Sequence, residues 1–167
     1  MGKFTINNLV ITNNVTTLET CSFTGIRIKN IVFPNTLTSI GEACFVCGDG
    51  AHKSDSMYNF ATLKHIDIPA SVTSIGPYAF AGQLNVESVI IRGNVSLARS
   101  VFNYVGEDTI VKYYIYSENV IPSYNPVYLV NDGDRIFIYV PSNLVNAYKT
   151  SVEWDDFADS IYPLPTN

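Results

Sequence analysis

Residues 66–80 read IDIPASVTSIGPYAF, and residues 31–45 read IVFPNTLTSIGEACF. Both segments carry the opening Ile, the Pro at the fourth place, the run Thr-Ser-Ile-Gly and the closing Phe, with no gap between them. Residues 9–23, LVITNNVTTLETCSF, hold the same frame more loosely and keep Leu9, Ile11, Val15, Thr16, Leu18 and Phe23 in register. Residues 89–102, VIIRGNVSLARSVF, fit after one deletion. Two fainter strands follow, Tyr113-Tyr114-Ile115 and Ile138-Tyr139-Val140. The strand starts fall at 9, 31, 66, 89, 113 and 138, most of them about 22–25 residues apart. Self-similarity at this period predicts a solenoid, in which each repeat buries its apolar face against the next.

Each place in the template has a physical task. Ile66 and Ile68 alternate with Asp67, the period-two signature of a strand with one buried face. Pro34, Pro69 and Pro141 end the strands, since proline cannot donate to a ladder. Gly41 and Gly76 are read as sharp turns. Val72, Ile75, Ala79 and Phe80 are expected to stack on Leu37, Ile40, Cys44 and Phe45. The second repeat is longer than its neighbours, and its extra segment, about 46–62, contains the polar run GDGAHKSDSMYN. That run reads as a protruding loop.

These residues closely resemble the BspA-like, or Treponema-type, leucine-rich repeat. IPASVTSIGPYAF carries the resemblance most strongly, and IYVPSNLVNAYKTSVEWDDFADSIYPL is similar to the segment that often closes such arrays. The resemblance covers roughly residues 9–164 and is weakest over 103–135. It implies a leucine-rich-repeat solenoid, mainly β, with one curved parallel sheet of about five to six repeats and a short helical C-terminal cap. It also implies a surface or secreted protein that adheres to host proteins or to other cells. One feature departs from the family pattern. A Cys usually stands three residues after the Phe, whereas Ile26, Gly48 and Gln83 occupy those places here. The expected organisation is a single domain over 1–167, with repeats about 9–140 and a cap about 141–167.

Composition sets outer bounds. The chain has 167 residues, 47 % hydrophobic and 15 % charged, which argues against disorder. A net charge of −5 and a pI near 4.8 argue against a nucleic-acid partner. No apolar run approaches the roughly 20 residues that span a bilayer. The start MGKFTINNLV lacks the basic and apolar regions of a signal peptide. A cytoplasmic chain, a removed leader and a piece of a longer chain all stay open.

The closing segment reads as a lid on the last repeat. Ser142 is expected to cap a short helix from Asn143 to about Lys149, with Leu144, Val145 and Tyr148 on one face. Ser151 is expected to cap a second turn or short helix, with Glu153, Asp155 and Asp156 near its N-terminus. Trp154, Phe157 and Ile161 form an apolar stripe suited to covering an exposed repeat end.

Motifs that suggest chemistry are few. Cys44 and Cys47 form a C-x-x-C, but Cys44 takes the small core slot of Ala79, so both read as structural. Cys21, Cys44 and Cys47 are expected to be unpaired and free of metal, and no cofactor is expected. A zinc site from Cys44, Cys47, His52 and His65 fits known spacings badly. Asp132-Gly133-Asp134 reads as a turn rather than a calcium loop. The acidic run Glu153–Asp159 reads as a solvated face of the cap. No phosphate loop, serine elbow or zincin motif is present, so an enzyme is not expected. The sequons at Asn14 and Asn94 matter only in a eukaryotic secretory setting.

The register also predicts what the sheet shows to solvent. If the first and third strand positions face the core, the second faces outward. That column is Val10, Val32, Asp67, Ile90, Tyr114 and Tyr139, flanked by Asn8, Asn30, His65, Ser88, Lys112 and Phe137. A column that is mostly apolar or aromatic where polar residues are ordinary suggests a binding strip. Its candidate ligand-contacting residues are His65, Asp67, Ile90, Tyr114, Phe137 and Tyr139, helped by the loop around His52–Tyr58 and the segment Tyr124–Tyr128. The partner expected is a protein or glycan on another cell or host surface. A structural cap or spacer in a longer repeat array is the alternative, and a carbohydrate-active solenoid enzyme is a third reading that lacks clustered carboxylates.

Overall fold

The computed structural model describes residues 5–47, 62–106, 109–123 and 136–166. Every strand pairing in it is parallel. The longer strands are β1 (Thr5–Val10), β3 (Arg27–Val32), β5 (His65–Ile68), β7 (Ser88–Ile91), β9 (Val111–Ile115), β10 (Ile136–Val140) and β11 (Ile161–Pro163). Between the first of them lie two-residue strands: β2 (Thr17–Leu18), β4 (Ser39–Ile40), β6 (Ser74–Ile75) and β8 (Ser96–Leu97). Each early repeat is thus one coil with a long strand on one side and a short strand on the other. Coil 1 occupies residues 5–26, and Thr5 pairs with Arg27 at the same place of coil 2.

The expected strand positions and register hold. Asp67 pairs with Ile90, Ile90 with Tyr114 and Tyr114 with Tyr139. Two features differ from a single sheet. The Thr-Ser-Ile-Gly run, read from sequence as leading into a turn, builds a second, four-stranded ladder of its own, β2-β4-β6-β8. The long-strand ladder is also divided, into a pair β1-β3 and a five-stranded sheet β11-β10-β9-β7-β5. The division lies between β3 and β5, where the sequence carries its extra segment. There Phe33 takes the slot filled by Ile11, Ile68 and Ile91 in other coils, and its ring stands edge-on to Phe45 and Phe80 at 5.8 and 6.5 Å. Most of the extra segment, and the stretches around Tyr124–Tyr128 and Asp132–Asp134, lie outside the described residues.

The core runs between the two ladders as columns of identical slots. Leu37, Val72 and Val95 form one, and Leu18, Ile40, Ile75 and Leu97 another, all buried. The most ordered column is aromatic. Phe23, Phe45, Phe80 and Phe102 stack face to face with centroids 5.1, 5.2 and 5.8 Å apart, and Tyr113 closes the row edge-on at 5.6 Å. Cys44 and Ala79 share the small slot as expected, both fully buried.

The turns between ladders reveal the role of two glycines. A Cβ at Gly41 would lie 2.7 Å from the backbone N of Thr20, and one at Gly76 would lie 2.6 Å from that of Glu42. Neither has a positive φ. They are therefore small because adjacent coils touch there, not because the chain turns sharply. The left-handed conformation falls two residues further on, at Cys21, Ala43, Tyr78 and Ser100, with φ between 50° and 59°. Side chains are unfavourable there, and recurrence in four coils shows that the stack imposes the shape.

The C-terminal cap differs in detail from its expected form. A 3-10 turn, Ser142–Leu144, leads into α1 (Val145–Thr150), and a second 3-10 stretch spans Asp155–Ser160. Neither Ser142 nor Ser151 caps a helix N-terminus: Ser142 lies inside the first turn, and the Ser151 hydroxyl donates back to the Tyr148 carbonyl at 3.1 Å. Ile161 is not on a helical stripe. It opens β11, which adds to the sheet beside β10. The lid itself is as expected. Tyr148, Trp154 and Phe157 are buried against the core, with Tyr148 and Trp154 edge-on at 5.5 Å. The Tyr148 hydroxyl accepts from the Ile121 N–H at 3.1 Å, and the Trp154 indole N–H donates to the Ile121 carbonyl at 3.1 Å.

Candidate interaction surface

The outward column of the five-stranded sheet carries Asp67, Ile90, Tyr114 and Tyr139 in register, as the alternation requires. The structure adds Tyr162 of β11, paired with Tyr139 and 40 % exposed. Sequence reasoning missed it because Ile161 was assigned to a helix. The clue was present in the alternation Ile161-Tyr162-Pro163 after a helical stretch. Val10 and Val32 are exposed and paired, but they belong to the separate two-stranded sheet and do not continue this ladder.

The strip divides by chemistry along its length. At the β5 end Asp67 is bound by Arg92 through two contacts, 2.6 and 2.7 Å, and the pair holds the Arg92 guanidinium above its usual pKa. His65 shares a hydrogen bond with Ser88 at 2.9 Å. Asp67 and Arg92 also border a groove of about 250 Å³ at the break, floored by Ile31, Val32 and Phe33. At the β11 end the surface is aromatic. Tyr114 and Tyr139 stack at 5.1 Å with planes 13° apart. Tyr162 leans on Tyr139 at 6.1 Å and on Phe137 at 5.9 Å. Phe137 and Tyr162 also edge a hollow of about 350 Å³ that includes Asp156 and Asp159. The six expected residues thus share one sheet face, but in two halves: polar pairs near His65 and Asp67, and rings near Tyr114, Phe137 and Tyr139.

Rings stacked on each other turn their inner faces to one another. What these two rings show to solvent is mostly their edges, beside the half-buried Ile90. Such a surface supplies rigid contact area at low entropy cost.

The reactive side chains lie elsewhere. Cys44 and Cys47 are buried, and burial pushes their thiols up to about 12 and about 11. They sit in a turn between coils rather than at a helix start, and burial outweighs the hydrogen bonds that reach their sulfurs. Gln83 lies against Cys47, donating to its sulfur at 3.2 Å and to the Phe45 carbonyl at 2.7 Å. Cys21 is exposed. Among the described residues no cluster of His, Cys, Asp and Glu is arranged to hold a metal ion. His52 lies outside them. No described helix is long and apolar enough to cross a membrane.

The stacked coils, paired ladders and aromatic column define a parallel β-solenoid of the leucine-rich-repeat class. The profile of the BspA type leucine-rich repeat region matches residues 1–120 in six copies, and the chain belongs to that family. No curated protein matches the chain. Repeats of this family typically serve as interaction modules, and the fold alone assigns no ligand.

Proposed function

We propose that this chain is a non-catalytic interaction module of a surface or secreted protein, and that it binds a protein partner through the aromatic half of the strip. The observation that carries the reading is the cluster of Tyr114, Tyr139, Tyr162 and Phe137 on the solvent side of a sheet whose other side is core. A sheet face with a purely structural task is ordinarily polar, and grouped exposed aromatics mark contact sites. A protein is favoured over a glycan because sugars stack on free ring faces, whereas the Tyr114 and Tyr139 rings cover one another. Asp67 and Arg92, already paired, act as a polar rim. A catalytic reading gains little from the strip: Ser88 stands beside His65 at 2.9 Å, but on an open sheet face rather than in a cleft.

The test is parallel screening of the chain against arrays of extracellular proteins and arrays of glycans. Protein hits that disappear with Tyr139→Ala support the proposal. Glycan hits alone, abolished by the same substitution, would move the partner to the other class.

A further inference from the structure

Carboxylates beside the five-stranded sheet are treated differently at its two ends. At the β5 end Asp67 is held by Arg92 and Glu87 by Lys64, so each meets a cation of the same chain. At the β11 end Asp156 and Asp159 are exposed and line the hollow edged by Phe137 and Tyr162. Neither is in an ion pair with a described residue. From Ser151 to Pro163 the chain carries Glu153, Asp155, Asp156 and Asp159 and no Lys or Arg. The cation nearest in the sheet register, Lys112, pairs with Phe137 from the β9 side.

Local backbone geometry brings the two acids together. Asp155–Ser160 is a 3-10 stretch, and with three residues per turn the side chains at i and i+3 stand one above the other. Phe157 and Ser160 are one such pair and are buried. Asp156 and Asp159 are the neighbouring pair, and both reach the same hollow. Two carboxylates on one face repel each other, and an incoming cation is attracted by both. The hollow also has aromatic edges. Phe137 and Tyr162 lie 5.9 Å apart with planes 33° from parallel. Tyr162 ends the row that begins at Tyr114, with no described ring stacked beyond it. Ring faces are electron-rich and attract cations.

We propose that this hollow receives an arginine side chain of the protein partner, set between the Asp156 and Asp159 carboxylates and the rings of Phe137 and Tyr162. The inference rests on the aromatic strip being the contact surface, and it names the chemistry of the partner: basic, with an exposed arginine beside apolar residues that cover Tyr139 and Tyr114. Charge complementarity carries the choice. The carboxylates have no cation of their own chain, and the net charge of −5 steers a basic partner toward them. Arginine suits the site better than lysine, because one planar guanidinium both stacks on a ring and bonds a carboxylate. A calcium ion fits less well, since it takes about 6–8 oxygens and no described group of three or more acidic, His or Cys side chains is arranged around one point.

The probe is a phage-displayed library of random linear peptides selected on the intact chain. Selected peptides are synthesised, and their Kd is measured on the parent and on three variants matched to it in melting temperature. The variants are Asp156→Asn with Asp159→Asn, Glu153→Gln with Asp155→Asn, and Tyr139→Ala. Both double variants remove the same charge, but only the first alters the lining of the hollow. The peptides are expected to carry arginine and to bind the Asp156→Asn, Asp159→Asn chain about tenfold or more weakly. The other double variant should change Kd by about twofold or less, as distant exposed charges do. Replacing the peptide arginine by neutral citrulline should cost as much as the Asp156→Asn, Asp159→Asn change, and the two losses should not add. Peptides weakened by Tyr139→Ala but bound alike by both double variants would overturn this proposal and leave the strip as the contact surface. Peptides indifferent to all three variants would overturn both readings. Calcium chloride alone is expected to give no saturable heat with the parent chain. Saturable calcium binding that disappears with Asp156→Asn and Asp159→Asn would overturn the proposal and assign the hollow to a metal ion.

Discussion

Phe80 lies on Phe45 with ring centroids 5.2 Å apart and planes 9° from parallel, although 35 positions separate them in the chain. The contact repeats a slot rather than a local motif, and it couples coil 3 to coil 2 across the inserted segment. Both rings are almost fully buried. Phe80→Ala should therefore cost about 3–5 kcal/mol of unfolding free energy. Urea denaturation followed by circular dichroism measures it, and a loss below about 1 kcal/mol, typical of surface sites, would remove Phe80 from the core.

Gly76 separates two explanations of a conserved-looking turn residue within the repeat. Its backbone has no need of glycine, but an added Cβ would meet Glu42 N at 2.6 Å. Gly76→Ala is expected to destabilise by about 1–3 kcal/mol through overpacking. A neutral or stabilising effect in the same denaturation assay would mean that the coils can separate freely at this point.

The chain has one tryptophan, Trp154, buried in the cap. Its fluorescence should be blue-shifted and should report cap opening. If the cap and solenoid form one cooperative unit, the fluorescence and circular dichroism transitions coincide. Trp154→Phe removes the N–H that satisfies the Ile121 carbonyl, and leaving that acceptor unpaired should cost about 1–3 kcal/mol. An early fluorescence transition in the parent chain would show the lid detaching by itself.

Thiol chemistry should divide the cysteines. Iodoacetamide at neutral pH is expected to label Cys21 rapidly, with Cys44 and Cys47 protected until the chain unfolds. Their raised thiol pKa values also predict alkaline sensitivity. The folded thiols stay protonated to about 12 and about 11, whereas the unfolded ones ionise near 9.0. Ionisation then favours the unfolded chain, so this contribution is intact below pH 9 and is lost as pH rises toward 11–12. Urea midpoints measured from pH 8 to 11 should fall above 9, and the fall should lessen in Cys44→Ala. An unchanged pH profile in that variant would assign the loss to other groups, such as the buried Tyr113, whose hydroxyl burial also raises.

The coils were legible because identical residues recur at one period, and period-two alternation told core from surface at Ile66, Asp67 and Ile68. The same alternation placed Tyr114 and Tyr139 side by side without any knowledge of their distance. The second ladder was less visible, since a two-residue strand such as Ser39–Ile40 is too short to show a period. The role of Gly76 was hidden for another reason. Its neighbour is the backbone of another coil, a contact that composition does not encode. Tyr162 was lost when helical spacing from Trp154 to Ile161 masked a strand of three residues. The pairing of Asp67 with Arg92 joins adjacent coils diagonally and needs side-chain geometry to be seen.

The most direct measurement of the central claim is the affinity of Tyr114→Ala, Tyr139→Ala and Tyr162→Ala for a protein selected by the parent chain from an extracellular-protein array. Ser96→Ala, on the opposite ladder, serves as the control, and each variant is first matched to the parent in melting temperature. If the aromatic strip is the site, at least one tyrosine variant loses about 2 kcal/mol or more, roughly a thirtyfold rise in Kd, as expected of a hot spot, while Ser96→Ala binds unchanged. Unchanged affinity in all three tyrosine variants, with binding lost in Ser96→Ala, would place the site on the other side of the solenoid and contradict the account.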